Sequence, residues 1–300
     1  TTKVYGNARL KKIDTERIRH ELESKKVVIV TGFQGINKYD DYTTLGRGGS
    51  DTTAVALAAA LHADKCEIYT DVDGVYTADP RIVKNAFKLD EITYDEMLDL
   101  ATLGAGVLHN RSVEMAKKYG VQLVVRSSLN ESEGTVLKEE VDVERMLISG
   151  VALDKNVARI SVMGLKDEPG IAFKLFDCLA KANINVDVIL QSIGREGKKD
   201  ITFTVARDEA DNAVKAIHAQ KARITLQDIT VNKAVNKISI VGAGMMSNPG
   251  VAAKMFEALY NVGVNINMIS TSEIRVTVIV DEGKAEKAMN AVHDAFMGVE

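Results

Sequence analysis

Tryptophan is absent from this 300-residue chain, cysteine occurs twice and proline three times. Cys66 and Cys178 lie far apart in sequence and supply neither a disulfide framework nor a set of metal ligands. That excludes the disulfide-stapled and zinc-ribbon classes and suits a reducing cytoplasm. No apolar run approaches the roughly 18 residues needed to cross a bilayer, and the amino terminus carries no signal-peptide pattern. A basic excess is missing too: 38 Lys and Arg stand against 42 Asp and Glu. The electrostatic footprint of a nucleic-acid binder is therefore absent. What remains is 46% hydrophobic and 27% charged, an ordinary globular composition of a length that suits about two domains.

Along the first half, strand and helix patterns alternate. Residues 27–33 (VVIVTGF) form a continuous apolar run, the pattern of a strand buried on both faces. An Ala-rich helix over 50–61 follows, then a strand over 66–70. Helices over 94–101 and 107–119 come next, the latter stopped by Gly120, and then a strand over 122–126. This order predicts a mainly parallel sheet covered by helices. Periodicity is lost in the charged stretch 131–145, which places a domain boundary near Val143.

Beyond it the chain repeats itself. Residues 158–188 match 237–268: Ile160 aligns with Ile238, Gly164 with Gly242, Pro169-Gly170 with Pro249-Gly250, Phe176 with Phe256 and Asn185 with Asn265. Each copy reads strand, helix, strand, strand, helix, with a further strand expected to close it, which is a split βαβ unit of ferredoxin-like type. The prolines are expected in the first turn of each helix, where a missing N–H costs nothing. Ile171, Leu175 and Leu179, and equally Val251, Met255 and Leu259, are expected to face the sheets. The predicted division is 1–143, 144–230 and 231–300. Residues 147–153 could cross into the neighbouring sheet, which blurs the first boundary.

Two motifs carry chemistry. Residues 44–53 (TLGRGGSDTT) put three glycines around Arg47 immediately before a helix, so backbone amides and a planar charged fork converge where anions are favoured. Arg47 contributes nothing to capping, which argues against a plain turn. No Gly-Lys-Ser/Thr follows, so this is not a Walker A loop. Residues 70–81 (TDVDGVYTADPR) follow a strand directly and so lie at the carboxyl end of the sheet, where open α/β folds bind ligands. Tyr76 could stack on a flat ring, and Thr70 and Arg81 could reach phosphates. The spacing does not fit an EF-hand. The glycines at 242 and 244 lack the third glycine of a dinucleotide fingerprint. The five histidines have no partner at metal-ligand or triad spacing and read as surface or packing residues. The Pro-Gly loops end strands and begin helices, which suits the carboxylate of a small amino acid, with Asp167 available to an ammonium group.

Together, TGFQG at 31–35, TTLGRGGSDTTAVALAAAL at 43–61, TDVDGVYTADPRIV at 70–83, VRSS at 125–128 and STSEIRV at 270–276 resemble the aspartate kinase family, and the repeats resemble paired ACT domains. The resemblance covers essentially the whole chain. It implies an amino-acid kinase sheet sandwich, present in part, followed by two βαββαβ ACT units. It implies an activity, transfer of the γ-phosphoryl of Mg-ATP to the β-carboxylate of L-aspartate, and a site for it. Phe33, Arg47, Gly48, Gly49, Ser50 and Asp51 would form the aspartate site, with Arg47, Ser50 and Asp51 catalytic. Thr70, Asp71, Tyr76, Asp79, Pro80 and Arg81 would form the ATP site. Mg²⁺ would be held mainly through the nucleotide phosphates, with no metal site of the protein's own. Lysine, with or without threonine, would be the feedback effector, bound by Asp167, Gly170, Ala172, Asn185, Asp187, Gln191, Met246, Ser247, Asn265 and Ile266. A cytoplasmic homodimer joined through the ACT domains is implied, with no nucleic-acid or membrane partner.

Two departures from the family pattern shape the expectation. The chain begins Thr1-Thr2-Lys3, without the family's Lys-Phe/Tyr-Gly-Gly phosphate loop or its substrate-binding glutamate, and Gly106 stands where many relatives carry Lys. Loss of a phosphate clamp costs orders of magnitude in rate, so this chain by itself is expected to be inactive. The alternative reading is a non-catalytic amino-acid sensor that needs a catalytic partner. A kinase of glutamate is a more distant third.

Overall fold

The computed structural model describes residues 1–140, 146–194, 196–220 and 223–298. A short helix, α1 (Glu16–Glu23), and a ribbon of β1 (Gln34–Ile36) and β2 (Tyr42–Thr44) precede α2 (Gly49–Leu61). The first four-stranded sheet is made of β3 (Cys66–Thr70), β4 (Glu91–Thr93), β5 (Leu123–Ser127) and β6 (Thr135–Lys138), in the order β3-β5-β6-β4. The β3/β5 and β4/β6 pairs are parallel, as the alternating pattern predicts, but β5 and β6 are joined antiparallel by a short connection. Helices α2, α3 (Tyr94–Thr102) and α4 (Asn110–Tyr119) bury Val55, Met97, Leu100 and Val113 against this sheet.

The apolar run at 27–33 departs from expectation. Its backbone is in no strand of the described residues, and Val27 and Ile29 are each 93% exposed. An apolar run becomes a buried strand only where a sheet edge and a covering layer meet it, and β1 and β2 pair only with each other.

Next come β7 (Gly150–Asp154), β8 (Ala158–Lys166), α5 (Ile171–Lys181), β9 (Ile189–Gln191), β10 (Lys198–Val205), α6 (Ala210–His218) and β11 (Asp228–Asn232). Strands β11-β8-β10-β9 form an antiparallel sheet with the expected split-βαβ order. The second repeat runs through β12 (Val235–Val241), α7 (Val251–Asn261), β13 (Met268–Thr271), β14 (Arg275–Asp281) and α8 (Ala285–Met297). Its sheet is ordered β13-β14-β12-β7, so the closing strand comes from upstream of the first repeat rather than from the chain's end. The second unit is thus discontinuous in sequence, and the crossing suggested for residues 147–153 is present. The boundary placed at Val143 lies outside the described residues. Pro169 and Pro249 sit one residue before the N-caps Gly170 and Gly250, not in the first helical turn. Ile171, Leu175, Leu179, Val251, Met255 and Leu259 are buried, as their spacing predicts.

The two repeats meet over Val157, Val188, Val235, Met268 and Ile279. Lys237, 5% exposed, lies there between Asp154, 3.2 Å away, and Asp187. The second repeat also shares its interior with the first domain. Ala152 and Val241 belong to the core of the first sheet, while Ala78 and Val83 belong to the core under α7 and α8. The Glu96 carboxylate, capping α3 through Thr93, accepts from Ser149 Oγ at 2.6 Å and from the Ala243 amide at 2.8 Å. Arg275 of β14 reaches Asp99 of α3 at 3.5 Å.

Candidate active site

The glycine motif forms a turn that aims the start of α2 outward. Gly46 and Gly48 take left-handed conformations (φ 79° and 68°). A Cβ on Gly48 would lie 2.2 Å from His109, so only glycine fits between the turn and α4. Phe33 is brought to the same place, although it is distant in sequence. Its carbonyl accepts from the Leu45 amide (2.8 Å), its amide donates to Thr53 Oγ1 (3.1 Å), and its ring borders Gly49. Phe33 itself holds φ 71°, a conformation an aromatic residue rarely adopts and one that collects at functional sites. Arg47 and Ser50 are exposed, and Arg47 has no hydrogen bond or ion pair among the described residues. Asp51 is half-buried. Burial raises its carboxyl above the usual range, opposed by the backbone amide and ring of His109.

The second motif leaves β3 and folds back on itself. Val75 pairs with Leu89, and Thr77 with Phe87, through backbone hydrogen bonds, while Thr135 Oγ1 closes the neck by accepting from Val75 N and donating to Leu89 O. Asp79 accepts from the Arg81 amide and is gripped by the Arg81 guanidinium at 2.8 Å, which holds its carboxyl below the usual range. The Arg81 side chain is 88% exposed, so the fork stays within reach of a ligand. The Tyr76 hydroxyl donates to Asp73 (2.8 Å), which pushes the phenol up.

All six residues assigned to the nucleotide, Thr70, Asp71, Tyr76, Asp79, Pro80 and Arg81, line one cleft of ≈ 450 Å³. Gly104–Val107 form another wall, and Val151, Ala152, Leu153 and Met289 close it from the second repeat. The segment 104–109 therefore joins the two sites: Gly106 faces the cleft, and His109 rests on the glycine turn. His109 has no partner at metal or triad spacing in the sequence, yet it has a place in the site. It caps α4, its Nδ1 accepting from the Arg111 amide (3.3 Å), and burial lowers its pKa. Its role arises from contact with Gly48, some sixty residues away in the chain, which no local spacing encodes. Arg111, missed as well, holds the turn by donating to Leu45 O at 2.8 Å.

The predicted effector residues fall into separate groups. Asp167, Gly170 and Ala172 lie where β8 leads into α5, and Gln191 ends β9. Asn185 and Asp187 sit past the other end of α5, ~16 Å away at 1.5 Å per residue. Asp187 is committed to Lys237. Met246 and Ser247 precede α7 and are exposed, whereas Asn265 and Ile266 follow it. Asp167 holds the Lys199 ammonium at 2.9 Å. Among the described residues no group of three or more His, Cys, Asp or Glu side chains could hold a metal ion, and no helix is long and apolar enough to cross a membrane.

A glycine turn carrying Arg47 at the start of α2, a cleft at the carboxyl end of β3 and two split-βαβ repeats define an amino-acid kinase with ACT domains. The comparisons agree: residues 2–127 match the amino acid kinase family, and 160–220 and 238–296 each match the ACT domain. The chain is 50% identical over 297 residues to an aspartokinase of Bacillus sp. strain MGA3, covering 99% of this chain and 72% of that protein. It superposes on E. coli aspartokinase III solved with aspartate and ADP in the R-state (TM-score 0.81, 28% identity, 98% of this chain and 67% of that one). The same E. coli enzyme with lysine and aspartate, in the T-state, gives a TM-score of 0.76 at 28% identity over 99% of this chain and 67% of that one. The chain belongs to the aspartate kinase family.

Proposed function

We propose that this protein transfers the γ-phosphoryl group of Mg-ATP to the β-carboxylate of L-aspartate, giving 4-phospho-L-aspartate and ADP. The observation that carries the reading is the gathering of Thr70, Asp71, Tyr76, Asp79, Pro80 and Arg81 in one cleft, with an exposed Arg47 on a glycine turn at the start of α2. A carboxylate oxygen of aspartate attacks the γ-phosphorus as the bond to the β-phosphate bridging oxygen breaks, and ADP leaves with that electron pair. Such a reaction needs positioning and charge neutralisation more than covalent help. The Arg47 fork and the free amides of α2 hold the substrate carboxylate, and Phe33 packs beside it. Ser50 and Asp51 orient the acceptor toward the phosphoryl group. Tyr76 stacks on the base while Thr70 and Arg81 steady the phosphates. Asp71 and Asp79 shape the loop, Asp79 by fixing Arg81. Mg²⁺ enters with the nucleotide, which suits a site whose donors do not form a cage.

Lysine, with or without threonine, is proposed as the effector. Asp167 already binds an ammonium group, that of Lys199, and the α-ammonium of an incoming amino acid would take its place. The exposed β9 edge of the first sheet and the β13 edge of the second are free for pairing with a second copy.

Aspartate-dependent release of ADP from Mg-ATP, abolished in Arg47→Ala, tests the catalytic reading. Calorimetric titration with Mg-ADP and with L-aspartate tests the site apart from turnover. A folded protein that binds neither overturns it.

A further inference from the structure

The outer face of the loop 70–81 forms the cleft, and its inner face is built into the second repeat. Ala78 and Val83 are buried in the same core as Val251, Met255 and Val292. Val151 of β7 donates its amide to Thr77 O at 2.7 Å. Three residues of α8 then hold the loop's length. Asn290 donates to Ile82 O (3.3 Å), Asp294 accepts from Asn85 Nδ2 (2.7 Å), and His293 Nε2 shares a 2.9 Å hydrogen bond with Thr77 Oγ1.

The last of these is the buried one. Thr77 and His293 are both fully excluded from solvent. The Thr77 hydroxyl oxygen also accepts from the Phe87 amide (3.2 Å), so the same side chain ties His293 to the returning segment of the loop. The other ring nitrogen, Nδ1, has no hydrogen-bond partner among the described residues, and the Asp294 carboxylate stands 3.9 Å from it. A ring serving only as packing would be better replaced by an apolar one, since a buried unpaired nitrogen carries a desolvation cost. Here its single bond goes to the residue between Tyr76 and Ala78, both of which line the cleft.

We propose that His293 is a positioning residue of the nucleotide site: through Thr77 it fixes the Tyr76–Arg81 loop, so the last helix of the second ACT repeat sets nucleotide affinity. This rests on the assignment of the cleft to the nucleotide. It gives the repeat a direct mechanical hold on one substrate site, with no intermediate element to relay through.

The test is calorimetric titration of the full chain with Mg-ADP. His293→Leu is expected to weaken Mg-ADP binding about five-fold or more, the scale of a buried hydrogen bond. His293→Gln, whose amide can still reach Thr77, should stay within about two-fold, a rescue that a packing role would not give. Should His293→Leu fail to fold, Thr77→Val carries the same expectation from the loop side, and the double variant should lose no more than either single one. Unchanged Mg-ADP affinity in His293→Leu or Thr77→Val, with the wild type binding normally, overturns the proposal alone. Equal loss in the Gln and Leu variants also overturns it. No Mg-ADP binding by the folded wild type overturns the nucleotide assignment and the proposal with it.

Discussion

At the scale of single residues, two glycines in the active site behave oppositely, and the difference can be measured. Gly48 is confined: its φ of 68° and the His109 side chain, whose Cβ would lie 2.2 Å from an added Cβ, leave no room for a side chain. Gly48→Ala must displace the turn or α4, and we expect it to lower the thermal midpoint and abolish L-aspartate binding by calorimetry. Gly106 is unconfined, with nothing within 4 Å of an added Cβ, and it lines the cleft. Gly106→Lys therefore brings an ammonium group to the phosphates without strain. About a three-fold or greater gain in Mg-ADP affinity is expected, fading as salt rises. Glycine alone signals neither outcome. Only the neighbours distinguish a glycine that is required from one that is merely small.

Elements are joined here by a few buried polar contacts. Lys237 on β12 is the clearest, since it ties β7 and the approach to β9 to the second sheet through Asp154 and Asp187. Removing one partner of such a group leaves the others uncompensated. Lys237→Met should cost roughly 2 kcal/mol, below the usual figure for a buried pair because both carboxylates still reach water. A shift in the urea midpoint of the regulatory half checks this. The sequence showed β12 and the equivalence of the repeats but not this joint, because nothing near Lys237 in the chain is acidic. For the same reason the pairing of Asp187 with a lysine fifty residues on is invisible in the local sequence.

For the whole molecule, pH acts through two histidines held neutral by burial. The pKa of both His109 and His293 is lowered from the ordinary value of 6.5. Below about 6.5 the unfolded chain binds protons that the folded chain resists, so stability is full above that value and falls as pH drops toward the lowered pKa. Asp294 beside His293 and Asp51 beside His109 soften the effect without reversing it. The raised carboxyls of Asp51 and Asp99 act in the opposite sense. A thermal midpoint that declines from pH 7.5 to 5.5, and declines less in His293→Gln, is the expected result by scanning calorimetry.

The sequence by itself determined the local pieces: the glycine turn before α2, the loop after β3, the repeated strand–loop–helix units and the apolar stripes of α5 and α7. Each is written in neighbouring residues, through periodicity, helix starts and turn chemistry. Tertiary structure alone decided the pairings. It left Val27, Ile29, Val30 and Phe33 of the apolar 27–33 run exposed, because burial depends on partners supplied from elsewhere. It sent β7 past the first repeat to close the second sheet, because an open edge takes whichever strand can reach it. It set His109 against Gly48 and His293 against Thr77, contacts between residues too far apart in the chain for any spacing rule to register.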